Sequence, residues 1–324
     1  MMSTLSAEQK RAEQPRPQRQ TLQGMLPVEA ISGFMAGCAA TLIVHPLDLV
    51  KVRLQLDNSS RSHMGGILHI VNDLRQSKHP LQEAYRGLIP NIVGNTASWA
   101  AYFFWYEKIK EKVQKVSGRQ DLGFADYLVS SGLAGGMTSL FTNPIWVVKT
   151  RMLSTNSQYT NAYTGMFQGL RLIKKEEGIR GFYRGFVPSL LGVGHGAVQI
   201  MFYEEMKKWY SHRNLGVTQL KHDEANNESS NLSTLQYITF SATSKIGASL
   251  VMYPAQVIRA RLQQYNADNE YLSMRNVISR TAKEEGILGF YKGLIPNLFR
   301  VVPATCVTFV VYEHTRSYLN YAEI

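Results

Sequence analysis

The sequence predicts an all-α membrane protein: three pseudo-symmetric two-helix repeats whose six transmembrane helices form a bundle around a central cavity. Three patterns that keep one register carry this expectation. Pro46, Asp48, Lys51 and Arg53 recur as Pro144, Trp146, Lys149 and Arg151, and again as Pro254, Gln256, Arg259 and Arg261. Tyr85-Arg86-Gly87 recurs as Tyr183-Arg184-Gly185 and Tyr291-Lys292-Gly293. Tyr106, Glu107 and Lys110 recur as Tyr203, Glu204 and Lys207, and as Tyr312, Glu313 and Arg316. The proline steps are 144 − 46 = 98 and 254 − 144 = 110, and the glutamate steps are 204 − 107 = 97 and 313 − 204 = 109. Motifs that share a step define a structural repeat, a unit that buries its apolar faces only against its neighbours.

Residues 1–26 are polar, with Pro15, Pro17 and mixed charge, and are read as a disordered, retained N-terminal tail. They lack the apolar core of a secretory signal. Repeat one occupies 27–118, repeat two 119–224 and repeat three 225–324. Candidate membrane spans lie at about 28–56, 87–113, 125–153, 185–210, 234–264 and 293–319, each long enough for a bilayer that needs about 20 helical residues. Pro46, Pro144 and Pro254 fall inside the odd spans and are expected to kink them, because proline removes one backbone hydrogen bond and clashes with the preceding turn. Gly33 with Gly37, and Ser131 with Gly135, make small-residue faces for close helix approach; repeat three has Ser241 and Lys245 there. A short amphipathic segment follows the first span at about 65–77. The polar stretch at about 211–233 is a loop that lengthens the second step.

Composition alone points elsewhere. A chain of 324 residues with a mean hydropathy of −0.18 reads as soluble, but its apolar residues are concentrated in the spans. Polar residues within those spans suit helices that line a water-filled cavity. With 35 Lys and Arg against 24 Asp and Glu the net charge is +11. No nucleic-acid fold signal accompanies it, so anionic lipid head groups and an anionic solute are the expected partners. Cys38 and Cys306 lie in different spans and are read as buried free thiols. Nothing in the chain matches a Walker phosphate loop or a zinc-protease helix, and Gly192, Gly194 and Gly196 lie within a span rather than after a strand. An enzyme is therefore not expected, nor a metal or resident cofactor.

These motifs resemble the mitochondrial carrier family, which repeats Pro-x-Asp/Glu-x-x-Lys/Arg-x-Lys/Arg on odd helices and Phe/Tyr-Asp/Glu-x-x-Lys/Arg on even ones. The resemblance runs over residues 27–320. It implies a multi-pass monomer of the mitochondrial inner membrane, with one solute site at mid-depth and an ion-pair gate on either side. On the cytoplasmic side it pairs Glu107 with Lys207, Glu204 with Arg316 and Glu313 with Lys110. On the matrix side only Asp48–Lys149 is a full ion pair. Gln256 offers Lys51 a hydrogen bond, and Trp146 faces Arg259, where a cation–π contact is worth about 0.5–2 kcal/mol. Gln55 and Gln263 match the bracing glutamines, and Leu153 takes the third brace position. A count of one ion pair against three predicts that the solute-free protein favours the state closed on the cytoplasmic side.

The family's solute contacts fall on Gly94 with Asn95, on Gly192 with Val193, and on Arg300. A glycine followed by an aliphatic residue resembles the slot for adenine in nucleotide carriers. Arg300 stands in the apolar run Leu298 to Val302, where an arginine is costly unless it meets water or a partner, and its fork suits a diphosphate. Lys245 is a second mid-span charge, read either as a phosphate contact or as a donor to a neighbouring helix. Trp99 and His195 lie within about a turn of the contacts, with packing or ring stacking as their roles. The helix starts Tyr85–Gly87, Tyr183–Gly185 and Tyr291–Gly293 are the implied cardiolipin sites. Asn143-Pro144-Ile145-Trp146 is similar to the subgroup carrying pyrimidine nucleotides, NAD, folate and FAD; Tyr253 to Gln263, Val44 to Gln55 and Pro303 to Cys306 resemble its FAD/folate branch. The implied function is transport of FAD as solute, not cofactor. Folate, NAD and pyrimidine nucleotides remain alternatives, as does a carrier-like scaffold that transports nothing.

Overall fold

The computed structural model describes residues 19–59, 63–118, 123–155, 163–215, 234–265, 267, 271 and 273–322, and every regular element among them is helical. Repeat one gives α1 (Arg19–Leu56), α2 (His63–Gln76), α3 (Pro80–Ala84) and α4 (Leu88–Ser117). Repeat two gives α5 (Phe124–Ser154), α6 (Met166–Glu176), α7 (Gly178–Phe182), α8 (Phe186–Val193) and α9 (His195–Leu215). Repeat three gives α10 (Thr234–Gln263), α11 (Met274–Glu284), α12 (Gly286–Gly289), α13 (Leu294–Phe299) and α14 (Val301–Ala322). Helix α1 begins at Arg19, inside the stretch read as a tail, and α9 runs to Leu215, inside the stretch read as a loop. The rest of both stretches, 1–18 and 216–233, lies outside the described residues.

Two compact units emerge, one from the described residues up to 40 with those from 303 onward, the other from 41–302. In the first, Arg316 pairs with Glu29 at 3.8 Å. Cys38 and Cys306 are both free, but Cys306 is exposed where a buried thiol was expected; the apolar character of a span does not distinguish a buried position from one on its outer face. The second unit carries the prolines and the candidate site.

In that unit each odd helix is covered by the short amphipathic helix that follows it. Val50 and Leu54 of α1 pack on Ile70 of α2. Val147, Val148 and Met152 of α5 pack on Ile173 of α6 and on Tyr163. Ile258 of α10 packs on Val277 of α11 and on Tyr271. Full burial of such side chains stabilises by about 1.5–3 kcal/mol each. Pro144 and Pro254 sit within α5 and α10 without ending them. The even helices of repeats two and three are interrupted, at Gly194 and at Arg300, whereas α4 is continuous. The second interruption has a local cause: Pro303 has no N–H to return to the Phe299 carbonyl.

The glycines that open the even helices take positive φ, where a side chain would be strained. Gly293 has φ +83°, and a Cβ there would lie 2.8 Å from the Lys51 carbonyl oxygen. Gly185 has φ +67°, and a Cβ would lie 3.1 Å from the Arg259 carbonyl oxygen. Each glycine thus presses the start of one repeat's even helix against the odd helix of another. Among the described residues, three stretches are long and apolar enough to cross a membrane: Val28–Leu56, Gly178–Tyr210 and Leu294–Asn320. Within the second unit Leu128, Val129, Leu133 and Phe141 of α5, and Val187, Leu191, Ile200 and Met201 of α8 and α9, are exposed. Apolar faces of this extent mark a lipid-facing surface.

Candidate functional site

The site is built on a ring of arginines at the C-terminal ends of the odd helices. Arg53 Nε donates to the Leu153 carbonyl at 3.2 Å, Arg151 Nε to that of Gln263 at 3.4 Å, and Arg261 Nε to that of Gln55 at 3.0 Å. Each repeat thereby satisfies a last-turn carbonyl of the next, a group the helix itself leaves without a partner. A carboxylate neutralises each guanidinium: Glu83 lies 3.6 Å from Arg53 Nη2, Glu177 2.9 Å from Arg151 Nη2, and Glu285 2.8 Å from Arg261 Nη2. The motif's own basic residue joins in, with Arg86 at 3.7 Å, Arg184 at 2.9 Å and Lys292 at 2.7 Å from the same carboxylates.

Repeat one reaches this arrangement from a different position. Glu177 and Glu285 stand six residues before Tyr183 and Tyr291, where repeat one has His79 before Tyr85. Glu83 instead occupies the place held by Gly181 and Gly289. A Cβ on Gly181 would meet Glu177 Cβ at 2.7 Å, and one on Gly289 would meet Glu285 Cβ at 2.6 Å. The two solutions exclude each other sterically, so a repeat has one or the other. Sequence reading by fixed position passes over Glu83.

Above this ring lie the gate residues beside the prolines. Asp48 and Lys149 are 4.0 Å apart, and Lys51 Nζ donates to Gln256 Oε1 at 3.1 Å. Lys149 and Arg259 both face the Trp146 ring, at 4.9 and 5.9 Å from its centroid. Two further residues complete the set. Asn91 Oδ1 accepts from Lys149 Nζ at 2.8 Å while its Nδ2 donates to Asp48 at 3.4 Å. Arg300 donates to Asp48 directly. Asn91 had a signal in the chain: Pro90-Asn91, Pro188-Ser189 and Pro296-Asn297 keep the register of the repeat, and all three polar residues are buried. The two glutamines in the brace positions bond to neighbouring helices. Gln263 accepts from Thr150 Oγ1 at 3.2 Å and donates to the Arg184 carbonyl at 3.3 Å, while Gln55 supplies its backbone carbonyl to Arg261. Both tie helices together below the gate, and neither is hydrogen-bonded to Asp48 or Lys149.

The expected solute contacts divide into packed and open positions. At Gly94 a Cβ would meet Ile145 at 3.2 Å and Trp146 at 3.5 Å, so this glycine serves the approach of α4 to α5. Asn95 donates to Asn91 at 3.3 Å and so joins the gate network. Val193 fills the notch at Gly135, where a Cβ would lie 2.5 Å from its Cγ1. Gly192 has open space around it. Lys245 is exposed and has no hydrogen-bond or ion-pair partner among the described residues. Arg300, at the break between α13 and α14, keeps 35% of its side chain exposed while paired with Asp48. Trp99 stacks on Phe103 at 5.7 Å, and Tyr102 on Tyr106 at 5.9 Å.

In each of the three Tyr-Glu motifs the acidic residue, Glu107, Glu204 or Glu313, is exposed. Glu107 and Lys207, expected to pair, form no ion pair among the described residues, and Lys110 instead lies over the Tyr127 ring at 5.7 Å from its centroid. On the matrix side Asp48 has more contacts than the ion-pair count expected. The count omitted Asn91 and Arg300, which give Asp48 two partners besides Lys149.

The family model described as mitochondrial carrier protein matches the chain three times, over residues 24–117, 120–214 and 230–323. An uncharacterized mitochondrial carrier of Schizosaccharomyces pombe is 41% identical over 287 residues, covering 88% of this chain and 94% of that protein. The chloroplastic folate transporter 1 of Arabidopsis thaliana is 38% identical over 300 residues, covering 90% and 95%. The mitochondrial FAD carrier protein of Saccharomyces cerevisiae is 34% identical over 306 residues, covering 89% and 96%. Three family matches in the register of the three arginine–carboxylate clusters leave one assignment: the chain belongs to the mitochondrial carrier protein family.

Proposed function

We propose that the protein is a monomeric transporter that moves FAD across the mitochondrial inner membrane by alternating access. The observation that carries this reading is Arg300. It is a partly exposed arginine in an apolar helix, placed where the helix is interrupted and able to leave Asp48 for a phosphate. A charge-assisted pair with phosphate is worth about 1.5–3 kcal/mol, more than a neutral hydrogen bond. Gly192 offers an uncluttered surface for a flat ring, and Lys245 a second free cation. The relatives named for FAD, for folate and, in Arabidopsis thaliana, for nicotinamide adenine dinucleotide support a nucleotide-like or pterin-like solute. The glycine-capped starts of α4, α8 and α13 are proposed to hold cardiolipin head groups on their N–H groups.

The test is uptake by the purified full-length protein in proteoliposomes, with FAD, FMN, folate, NAD and pyrimidine nucleotides offered in turn. FAD uptake at the highest rate is the expected result. Transport of NAD or pyrimidine nucleotides without FAD would move the protein to another branch of the family, and no uptake of any anion would favour a scaffold.

A further inference from the structure

The gate beside the prolines does not balance its charge. Among the described residues, Asp48 is the carboxylate paired with Lys149 and Arg300, and the cations Lys51 and Arg259 stand beside this pair, on Gln256 and on the Trp146 ring that Lys149 also faces. Four cations against one anion leave an excess of three. Asp48 is committed to Lys149, through Asn91, and to Arg300. Among the described residues Lys51 donates to the neutral Gln256 amide and lies over the Tyr253 ring, 5.8 Å from its centroid. Arg259 has the face of Trp146 and no hydrogen-bond acceptor among the described residues. Half-buried cations without a full counter-charge are costly, the more so within a membrane. The two positions that leave them unbalanced are Trp146 and Gln256, which stand in register with Asp48.

We propose that Lys51, Arg259 and Arg300 form a phosphate-binding floor, in which the solute's diphosphate takes the place of the two carboxylates that the gate lacks at Trp146 and Gln256. This deepens the proposed function and rests on its reading of Arg300 as a solute contact. Arg300 is the movable member: it exchanges Asp48 for phosphate, while Asn91 keeps Lys149 on Asp48. Two guanidinium forks and one ammonium match the several oxygens of a diphosphate. Solute binding and gate closure then share the same cations, so a solute without the phosphates cannot balance the floor.

The test writes the missing carboxylate into the gate. Inorganic pyrophosphate serves as probe with purified full-length protein in detergent, and binding is read from protection against thermal unfolding. Parent protein should be protected by pyrophosphate. Gln256→Glu should melt higher than the parent without ligand and should bind pyrophosphate about tenfold or more weakly, a change of about 1.4 kcal/mol. Lys51→Gln tests the same floor from the opposite side and should weaken pyrophosphate by a similar factor, since it removes one of the floor's cations. Equal protection of parent and Gln256→Glu would overturn the floor, as would no protection of the parent. Protection of the parent and loss in both variants, with no FAD uptake, would keep the floor and sink the flavin reading.

Discussion

At the scale of single residues, Arg300 is the position on which the reading turns. Its importance was legible, because an arginine in the run Leu298 to Val302 has no place facing lipid. Its partner was not. Asp48 is 252 residues away in the chain, and only the fold brings the two together. Asn91 was legible in principle, since a polar residue follows the proline in all three repeats, but its neutral amide carries no charge to attract attention. At Gly94 and Val193 the chain alone does not show the close neighbours, Ile145 and Trp146 at the one and Gly135 at the other. Replacing Arg300 with alanine should lower the initial rate of FAD uptake at least about tenfold, because one charge-assisted contact is worth about 1.5–3 kcal/mol and a factor of ten is about 1.4. Arg300→Lys should restore part of the rate, since an ammonium keeps the charge and loses the fork. Both variants are to be compared at equal incorporated protein and with unchanged helical content. Parent-rate uptake by Arg300→Ala would show that the contact position was carried over wrongly.

At the scale of elements, the three arginine–carboxylate clusters fasten the ends of the odd helices to one another. The arginines were legible from their register, whereas Glu83 was hidden by a change of position. Its equivalence to Glu177 and Glu285 follows only from where the carboxylate arrives. Rewriting repeat one as the other two, with His79→Glu, Pro80→Gly and Glu83→Gly together, should therefore keep thermal stability near that of the parent. Glu83→Gly alone should lower it clearly, because it strands Arg53. Removing one member of a buried pair costs about 3–5 kcal/mol. The clusters also set an acid limit. Burial pushes the Glu285 carboxyl up, but hydrogen bonds from Arg261 and Lys292 outweigh that and hold it below the ordinary value of 4.5. A carboxyl with a depressed folded-state value contributes fully above its unfolded value and loses that contribution as pH falls through the folded one. The melting midpoint in detergent should hold through mildly acidic pH and fall below 4.5. Glu285→Gln should melt lower at neutral pH and show a shallower acid fall; an equally steep fall would place the acid limit elsewhere.

At the scale of the whole molecule, the threefold repeat was fully legible, because motifs in register survive any divergence between them. The state of the gates was not, because it depends on neutral partners and on a cation that belongs to a different motif. Glu107 and Glu204 are exposed, and an ion pair formed at such exposed positions contributes only about 0–1 kcal/mol. Asp48 is buried, and its contacts with Lys149, Asn91 and Arg300 are therefore worth more than their number suggests. The solute-free protein should rest with the proline end closed and the Tyr-Glu end open. A cysteine at Gly192, which has open space around it, reports this in a background of Cys38→Ser and Cys306→Ser. In sealed vesicles of known orientation, a membrane-impermeant thiol reagent should label it from the side of Glu107 and not from the side of Pro144. Asp48→Asn leaves Lys149 and Arg300 without their shared carboxylate, and loss of one such charged contact, about 1.5–3 kcal/mol, shifts a two-state balance about tenfold or more. Labelling from the Pro144 side should rise by that factor, and FAD should reverse less of it than in the parent. If Asp48→Asn leaves both labelling rates unchanged, the buried carboxylate does not set the resting state, and the balance must lie with the open charges at the other end.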